Sequence, residues 1–181
     1  MTFLFFIFGL IPITPIMVEE MKAFEIKPIG PMDHQAVCDL LVTHWGSPRI
    51  VTRGIMHQAD HLPGFAAVID DEIIGLVTFR IENKECEIIS LNSLREKTGI
   101  GTALIKKVRN EATRAGCRRL WLVTTNDNTP AIEFYNRRGF RIAAIHNGAI
   151  EKSRKLKPEI PMTGIGGVPI IDEIEMEMRL E

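Results

Sequence analysis

The chain has 181 residues, 45% of them hydrophobic and 25% charged, with a formal net charge of -1. That length suits one domain able to bury roughly 70% of its extended-chain surface, and the balanced charge provides neither a basic face for nucleic acid nor an acidic tail. The three cysteines, Cys38, Cys86 and Cys117, are odd in number and show no spacing for a disulfide framework or a zinc ribbon, which suits a reducing, cytoplasmic compartment and small buried apolar roles.

Residues 2–17 stand apart: they are uncharged, hold four phenylalanines and are broken by Pro12 and Pro15. The segment falls short of the ~20 apolar residues of a membrane span. It also lacks the basic start and small-residue cleavage site of a signal peptide. Residues 1–20 are therefore expected to lie outside the domain, with Met17 and Met21 just ahead of the first globular segment. A weak membrane or partner anchor is the alternative. Residues 21–181 make the domain.

From Phe24 to Ile29 the pattern alternates as a strand, and Pro28 suits an edge position. Asp33 can cap a helix running to Trp45, with Val37, Leu40, Leu41 and Trp45 at helical spacing and Gly46 as the stop. The stretch that follows, with Arg49, Arg53 and His57, continues an early helical region. There His57 and His61 fall one helical turn apart, but no third ligand accompanies them, so a solvated or substrate-side role is expected and no metal. Gly64–Ile69 and Glu72–Ile81 read as an antiparallel pair around Asp70-Asp71, and Glu85–Leu91 as the next strand. Ile100, Leu104, Val108 and Ala112 then mark an amphipathic helix that Gly116 ends. Leu120–Thr124 reads as a buried strand, Pro130–Arg138 as a short helix, and Phe140–Ile145 as a strand. The closing Asp172–Leu180 alternates strictly, with Ile174, Met176, Met178 and Leu180 on one face. The expected fold class is α/β, a mixed sheet with helices on both faces.

The strand ending Ile88-Ile89-Ser90-Leu91 leads through a glycine loop, Leu94–Gly101, into that amphipathic helix. A helix N-terminus offers unpaired amides and a positive dipole end, and Gly99 and Gly101 let a backbone approach a phosphate. The loop does not follow the P-loop register, because no lysine follows a glycine at the required place, and Leu104 stands where a dinucleotide fold needs its third glycine. A tight turn without a ligand would use the same glycines.

The second motif decides between these readings. Asn128-x-x-Ala131-x-x-Phe134-Tyr135-x-x-x-Gly139-Phe140 follows the Gly-x-Gly-Thr-Ala-Leu run by one strand and one helix. In that order and spacing the two motifs resemble the GNAT superfamily of acetyl-CoA-dependent N-acetyltransferases over residues 23–146. The resemblance implies a splayed sheet whose neighbouring parallel strands, ending near Leu91 and Thr125, part to admit acetyl-CoA as co-substrate. It further implies that Leu91, Asn92 and Ser93 pair with the pantetheine and that Lys97, Thr98, Gly99, Ile100, Gly101 and Thr102 cradle the pyrophosphate. The chain departs from the family pattern at Glu96, where Gln or Arg is usual; Glu96 is expected to face outward, with Arg95 or Lys97 near the anion.

For catalysis, Tyr135 matches the family's tyrosine and is the expected acid for the leaving thiolate, since the chain has no other tyrosine. Asn128 either caps the next helix or holds a CoA amide. Glu87, on a strand covered on both sides, is the expected base, with Glu85 or a relayed water as substitutes. Trp45, Arg49, Arg53 and His57 fall where the family forms its acceptor wall, although Trp45 suits core packing equally.

Residues 147–170 make an unusually long connection before the last strand. Its basic helix, Gly148–Lys157, reads either as an acceptor-side lid whose basic side chains meet an acidic substrate group or as a solvated surface helix. The expected activity is direct acetyl transfer to a primary amine of a small molecule or peptide; a noncatalytic acyl-CoA sensor is the alternative. Partners are not expected to include nucleic acid or, through the leader, a membrane, and a homodimer is left open.

Overall fold

The computed structural model describes residues 23–95 and 97–181; the expectations for the 1–20 leader and for Glu96 lie outside these residues. The strands are β1 (Glu25–Pro28), β2 (Arg49–Thr52), β3 (Ile55–Gln58), β4 (Gly64–Ile69), β5 (Glu72–Glu82), β6 (Glu85–Ser93), β7 (Arg119–Thr125), β8 (Arg141–His146) and β9 (Glu173–Arg179). The helices are α1 (His34–Trp45), α2 (Ile100–Arg114), α3 (Thr129–Asn136) and α4 (Ala149–Leu156). Among the described residues no helix is long and apolar enough to cross a membrane.

Seven strands form one sheet in the order β1-β4-β5-β6-β7-β9-β8. Every neighbouring pair is antiparallel except β6 and β7. Tight turns with left-handed backbone at both central residues, Asp70-Asp71 and Asn83-Lys84, join β4 to β5 and β5 to β6, the geometry that matches the twist of paired strands. Pro28 sits on the edge strand, where its missing N–H breaks no ladder.

Two apolar clusters flank the sheet. On one face α2 buries Ile100, Leu104, Ile105, Val108 and Ala112 against Phe65, Val77, Phe79, Ile88, Leu120 and Leu122. Gly75 of β5 permits this approach, since a Cβ there would lie 2.5 Å from Cγ2 of Ile100. On the other face α1 sets Val37, Leu40 and Leu41 against Leu76 and Ile89, with Ile50 and Ala59 completing the cluster.

The expected helical region after Trp45 is instead a hairpin, β2 and β3, paired from Arg49↔Gln58 to Thr52↔Ile55. Arg53-Gly54, both with positive φ, make its turn. The β-branched run Ile50-Val51-Thr52 and the alternating burial of Ile50 and Thr52 favour a strand over a helix here. His57 consequently lies on β3 and is separated from His61, which ends a short 3-10 turn at Ala59–His61.

Candidate active site

The site begins where two parallel strands part. Pairing between β6 and β7 ends at Ile88↔Leu122. Beyond it β6 stays paired with β5 as far as Ser93↔Gly75, and β7 stays paired with β9 as far as Thr125↔Glu173. Among the described residues, the facing edges of Ile89–Ser93 and Val123–Thr125 thus have no strand between them. The register of β6 against β5 also slips between Thr78↔Ser90 and Phe79↔Ile88. Ile89 is the extra residue of this bulge, and bulges re-aim backbone groups and end pairing.

The loop from β6 leads straight to the N-terminus of α2. Gly99 caps that helix at φ 85, with open space where a Cβ would be, and Lys97 also has positive φ. Ser93 and Thr98 both donate their hydroxyls to the Arg95 carbonyl, at 2.9 and 2.8 Å. The first-turn amides of Ile100, Gly101 and Thr102 have no carbonyl one turn earlier within the helix. The loop thus presents backbone amides, not hydroxyls, at the start of α2.

Gly101 has a different reason from the one its spacing suggested: a Cβ there would lie 2.9 Å from the Phe134 ring. It lets α2 pack against α3. The same contact brings in a cation that sequence reasoning missed. Arg138 lies over the Phe134 ring at 3.4 Å, and its Nε and Nη2 donate to Thr102 Oγ1 at 2.9 and 2.6 Å. A guanidinium thus stands on the first turn of α2.

Tyr135 is buried on α3, its ring edge-on to Phe134 and Phe140 at 5.2 and 5.4 Å. Burial raises its phenol above the ordinary value, so it keeps its proton at neutral pH. Asn128 acts as a helix cap, accepting from the Ala131 amide at 3.3 Å, and also faces the cavity described next. Asn92 accepts from Trp45 Nε1 at 3.0 Å, tying α1 to the freed end of β6.

A cavity of about 420 Å³ opens beside the parted strands. Ile89, Val123, Thr124 and Thr125 form its sheet side, Trp45, Ile50 and Thr52 one wall, and Ile150, Lys157, Ile160 and Ile170 of the long connection another. Lys157 holds this wall in place. Its buried Nζ donates to the carbonyls of Trp45 and Arg49 at 2.8 and 2.7 Å, and Arg154 donates to the carbonyls of Ile160, Pro161 and Ile170. These two basic residues fasten the connection itself and do not stand free on a solvated surface helix. Burial and the nearby Arg49 charge lower the Lys157 ammonium below the usual range.

Glu87 is buried as expected but lies behind Thr52. It accepts from Thr52 Oγ1 at 2.7 Å and from Arg80 Nε at 2.8 Å. Burial raises its carboxyl above the ordinary range, and these two donors limit the rise. His57 Nε2 lies 2.9 Å from the same Thr52 oxygen, and burial followed by the Arg80 charge lowers His57 to about 4. The neutral imidazole therefore donates to Thr52, whose proton goes to Glu87. One acceptor lone pair of Thr52 is left toward the cavity. Glu85, the substitute for Glu87, pairs instead with Arg119 at 3.5 Å at the closed end of the strands.

Beside Glu159, which pairs with Arg49, the cavity wall carries the carboxylate of Glu173, at the start of β9. It is buried, accepts from Ser153 Oγ at 2.7 Å and from the Arg53 amide at 2.9 Å, and stands across from Thr125. In the sequence it is one of the alternating acids of this strand, on the face opposite Ile174 and Met176, and carries no signal of its own. Of the expected acceptor wall, Trp45 lines the cavity, Arg49 pairs with Glu159 at 3.0 Å, and Arg53 stacks over Trp121 at 5.5 Å.

Parallel strands that part and lead into a glycine-capped helix are the arrangement that the resemblance to acetyl-CoA-dependent acetyltransferases implied. The family model described as Acetyltransferase (GNAT) family matches residues 33–140, and the chain belongs to that family. The uncharacterized protein YdhI of Bacillus subtilis (strain 168) is 46% identical over 150 residues, covering 82% of this chain and 94% of that protein. Among solved structures, a GNAT family acetyltransferase from Elizabethkingia anophelis with acetyl-CoA bound shares the fold at TM-score 0.61 and 22% identity, over 88% of this chain and 99% of that one. Arabidopsis thaliana NAA60 in complex with a bisubstrate analogue does so at TM-score 0.64 and 20% identity, over 87% and 98%.

Proposed function

We propose that this chain transfers the acetyl group of acetyl-CoA directly to a primary amine of a small molecule held in the cavity beside β2 and α4. The observation that carries the reading is the meeting, at one parting of β6 and β7, of an unpaired backbone edge, a helix N-terminus and a carboxylate-bearing cavity. The residues present fit the co-substrate. Leu91, Asn92 and Ser93 offer a strand edge to the pantetheine. Lys97, Thr98, Gly99, Ile100, Gly101 and Thr102 surround the pyrophosphate, and Arg138 adds a positive charge beside it. Acetyl-CoA supplies an activated thioester. In this reading the amide of Ile89, at the bulge, holds the thioester carbonyl oxygen as it gains charge.

On the acceptor side, Glu173 takes the proton of the incoming ammonium, whose free pKa is near ~10.4. Thr52, held by Glu87 and His57, accepts a second amine N–H and orients the nitrogen. Glu87 thus acts at one remove from the amine. Tyr135, protonated by its burial, gives a proton to the departing thiolate, and its phenolate regains the second proton that the nitrogen loses on forming the amide. The apolar walls and the closure by the long connection favour a small amine with an apolar body over a folded protein. The test is release of free thiol from acetyl-CoA with a panel of such amines. Amine-dependent release supports the reading; saturable acetyl-CoA binding with no release from any amine would make the chain a sensor.

A further inference from the structure

The 3-10 turn that closes the hairpin carries a buried acid between two imidazoles. The Asp60 side chain is 4% exposed, and its Oδ2 lies 3.2 Å from His34 Nε2 and 3.8 Å from His61 Nε2. Gln58 Nε2 holds the other oxygen at 2.8 Å. The two imidazole rings stack with centroids 5.1 Å apart and planes 29° apart. The ligand atoms of the three residues all lie within 4.8 Å of one another.

Hydrogen bonding does not account for the whole arrangement. The His34 contact has hydrogen-bond length, but 3.8 Å is too long for His61. Zinc bonds of about 2.0–2.2 Å to nitrogen and oxygen put tetrahedral ligands about 3.4 Å apart. The Asp60–His34 separation of 3.2 Å already has that value, and His61, whose side chain is 63% exposed, has room to swing in.

We propose that His34, Asp60 and His61 bind a divalent transition-metal ion of the zinc type, with water completing its coordination. Two imidazoles and one carboxylate suit zinc over magnesium or calcium, which prefer oxygen alone. The ion joins the first residue of α1 to the base of the hairpin, where the Ala59 amide also bonds the Pro48 carbonyl at 2.9 Å. The far end of α1 and strand β2 supply Trp45, Ile50 and Thr52 to the cavity, so the metal braces the acceptor wall without touching the reacting atoms.

The test is titration of tag-free, chelator-stripped protein with Co(II) and then Zn(II). One Co(II) per chain should give the visible absorption of a tetrahedral site, Zn(II) should displace it, and Zn(II) should raise Tm. His61→Ala and His34→Ala should each weaken Zn(II) binding by at least the roughly 10–100-fold that loss of an outer-shell partner causes, with metal-free Tm close to that of the parent. Absence of a saturable cobalt spectrum overturns the site. Zinc affinity and Tm shift unchanged in the His34→Ala, His61→Ala double variant overturn it equally.

Discussion

The two sides of the cleft are built from different materials. The carrier side, from Ser93 through the first turn of α2, is backbone: a strand edge without a neighbour, a left-handed glycine and first-turn amides, with hydroxyls turned onto the Arg95 carbonyl. The acceptor side is made of side chains from segments far apart in sequence: Thr52 on the hairpin, Glu87 on β6, Lys157 on the connection and Glu173 on β9. A backbone site tolerates changes of side chain as long as the fold persists. A site of converging side chains can change its substrate with a few substitutions. The fold thus fixes the carrier and leaves the acceptor to local choice.

Substitutions should separate the two sides. The largest effect is expected for Glu173→Gln, which keeps the shape and removes the base: kcat/KM for the amine should fall by roughly 100-fold or more at neutral pH and recover partly as pH rises and the free amine becomes abundant, with acetyl-CoA affinity unchanged by calorimetry. Tyr135→Phe should lower kcat by roughly 10- to 100-fold while acetyl-CoA still binds; unchanged turnover would remove the acid role. Arg138→Gln removes the guanidinium that bonds Thr102 on the first turn of α2 and should weaken acetyl-CoA about tenfold, the lower end for a charge-assisted hydrogen bond. It should leave kcat at saturation intact, and an affinity equal to the parent's would leave the amides alone at the anion.

The smallest effect concerns stability. His57 is lowered from 6.5 to about 4 in the folded chain, so the unfolded chain binds the extra proton between those values. Its contribution is fully present above pH 6.5 and is lost as pH falls through about 4. His57→Gln, which preserves a donor to Thr52, should flatten the fall of Tm over that window, each kcal/mol counting for roughly 2–4 °C in a domain of this size. A Tm profile identical to the parent's would contradict the buried neutral histidine.

The elements of the proposed carrier side were legible in the sequence because they are written in short local patterns. Strand, glycines and amphipathic helix follow one another without a break, and Asn128, Tyr135 and Gly139 fix the next helix by spacing. Even there the reason for Gly101 was hidden, since the Phe134 ring that needs its missing Cβ lies on another helix. The acceptor side was mostly illegible. Arg53-Gly54 and the run Ile50–Thr52 did carry a hairpin signal, but the preceding helix and the His57–His61 spacing obscured it. Glu87 was found from its strand, yet Thr52, which stands between it and the cavity, comes from 35 residues away in sequence. Glu173 looked like one more acid in an alternating strand, and only the packing of Ser153 and Arg53 around it shows it buried. Lys157 and Arg154 looked like free surface charge, but they bond carbonyls that the chain folds back to reach them.

The most direct measurement is calorimetric titration of the protein with acetyl-CoA, alone and after Lys97→Ala. One molecule bound per chain, with an affinity that changes by less than about threefold on loss of the lysine side chain, is the result expected of a backbone-built cradle. No saturable binding would contradict the carrier site itself, and binding lost with Lys97 would contradict its construction from the amides of α2.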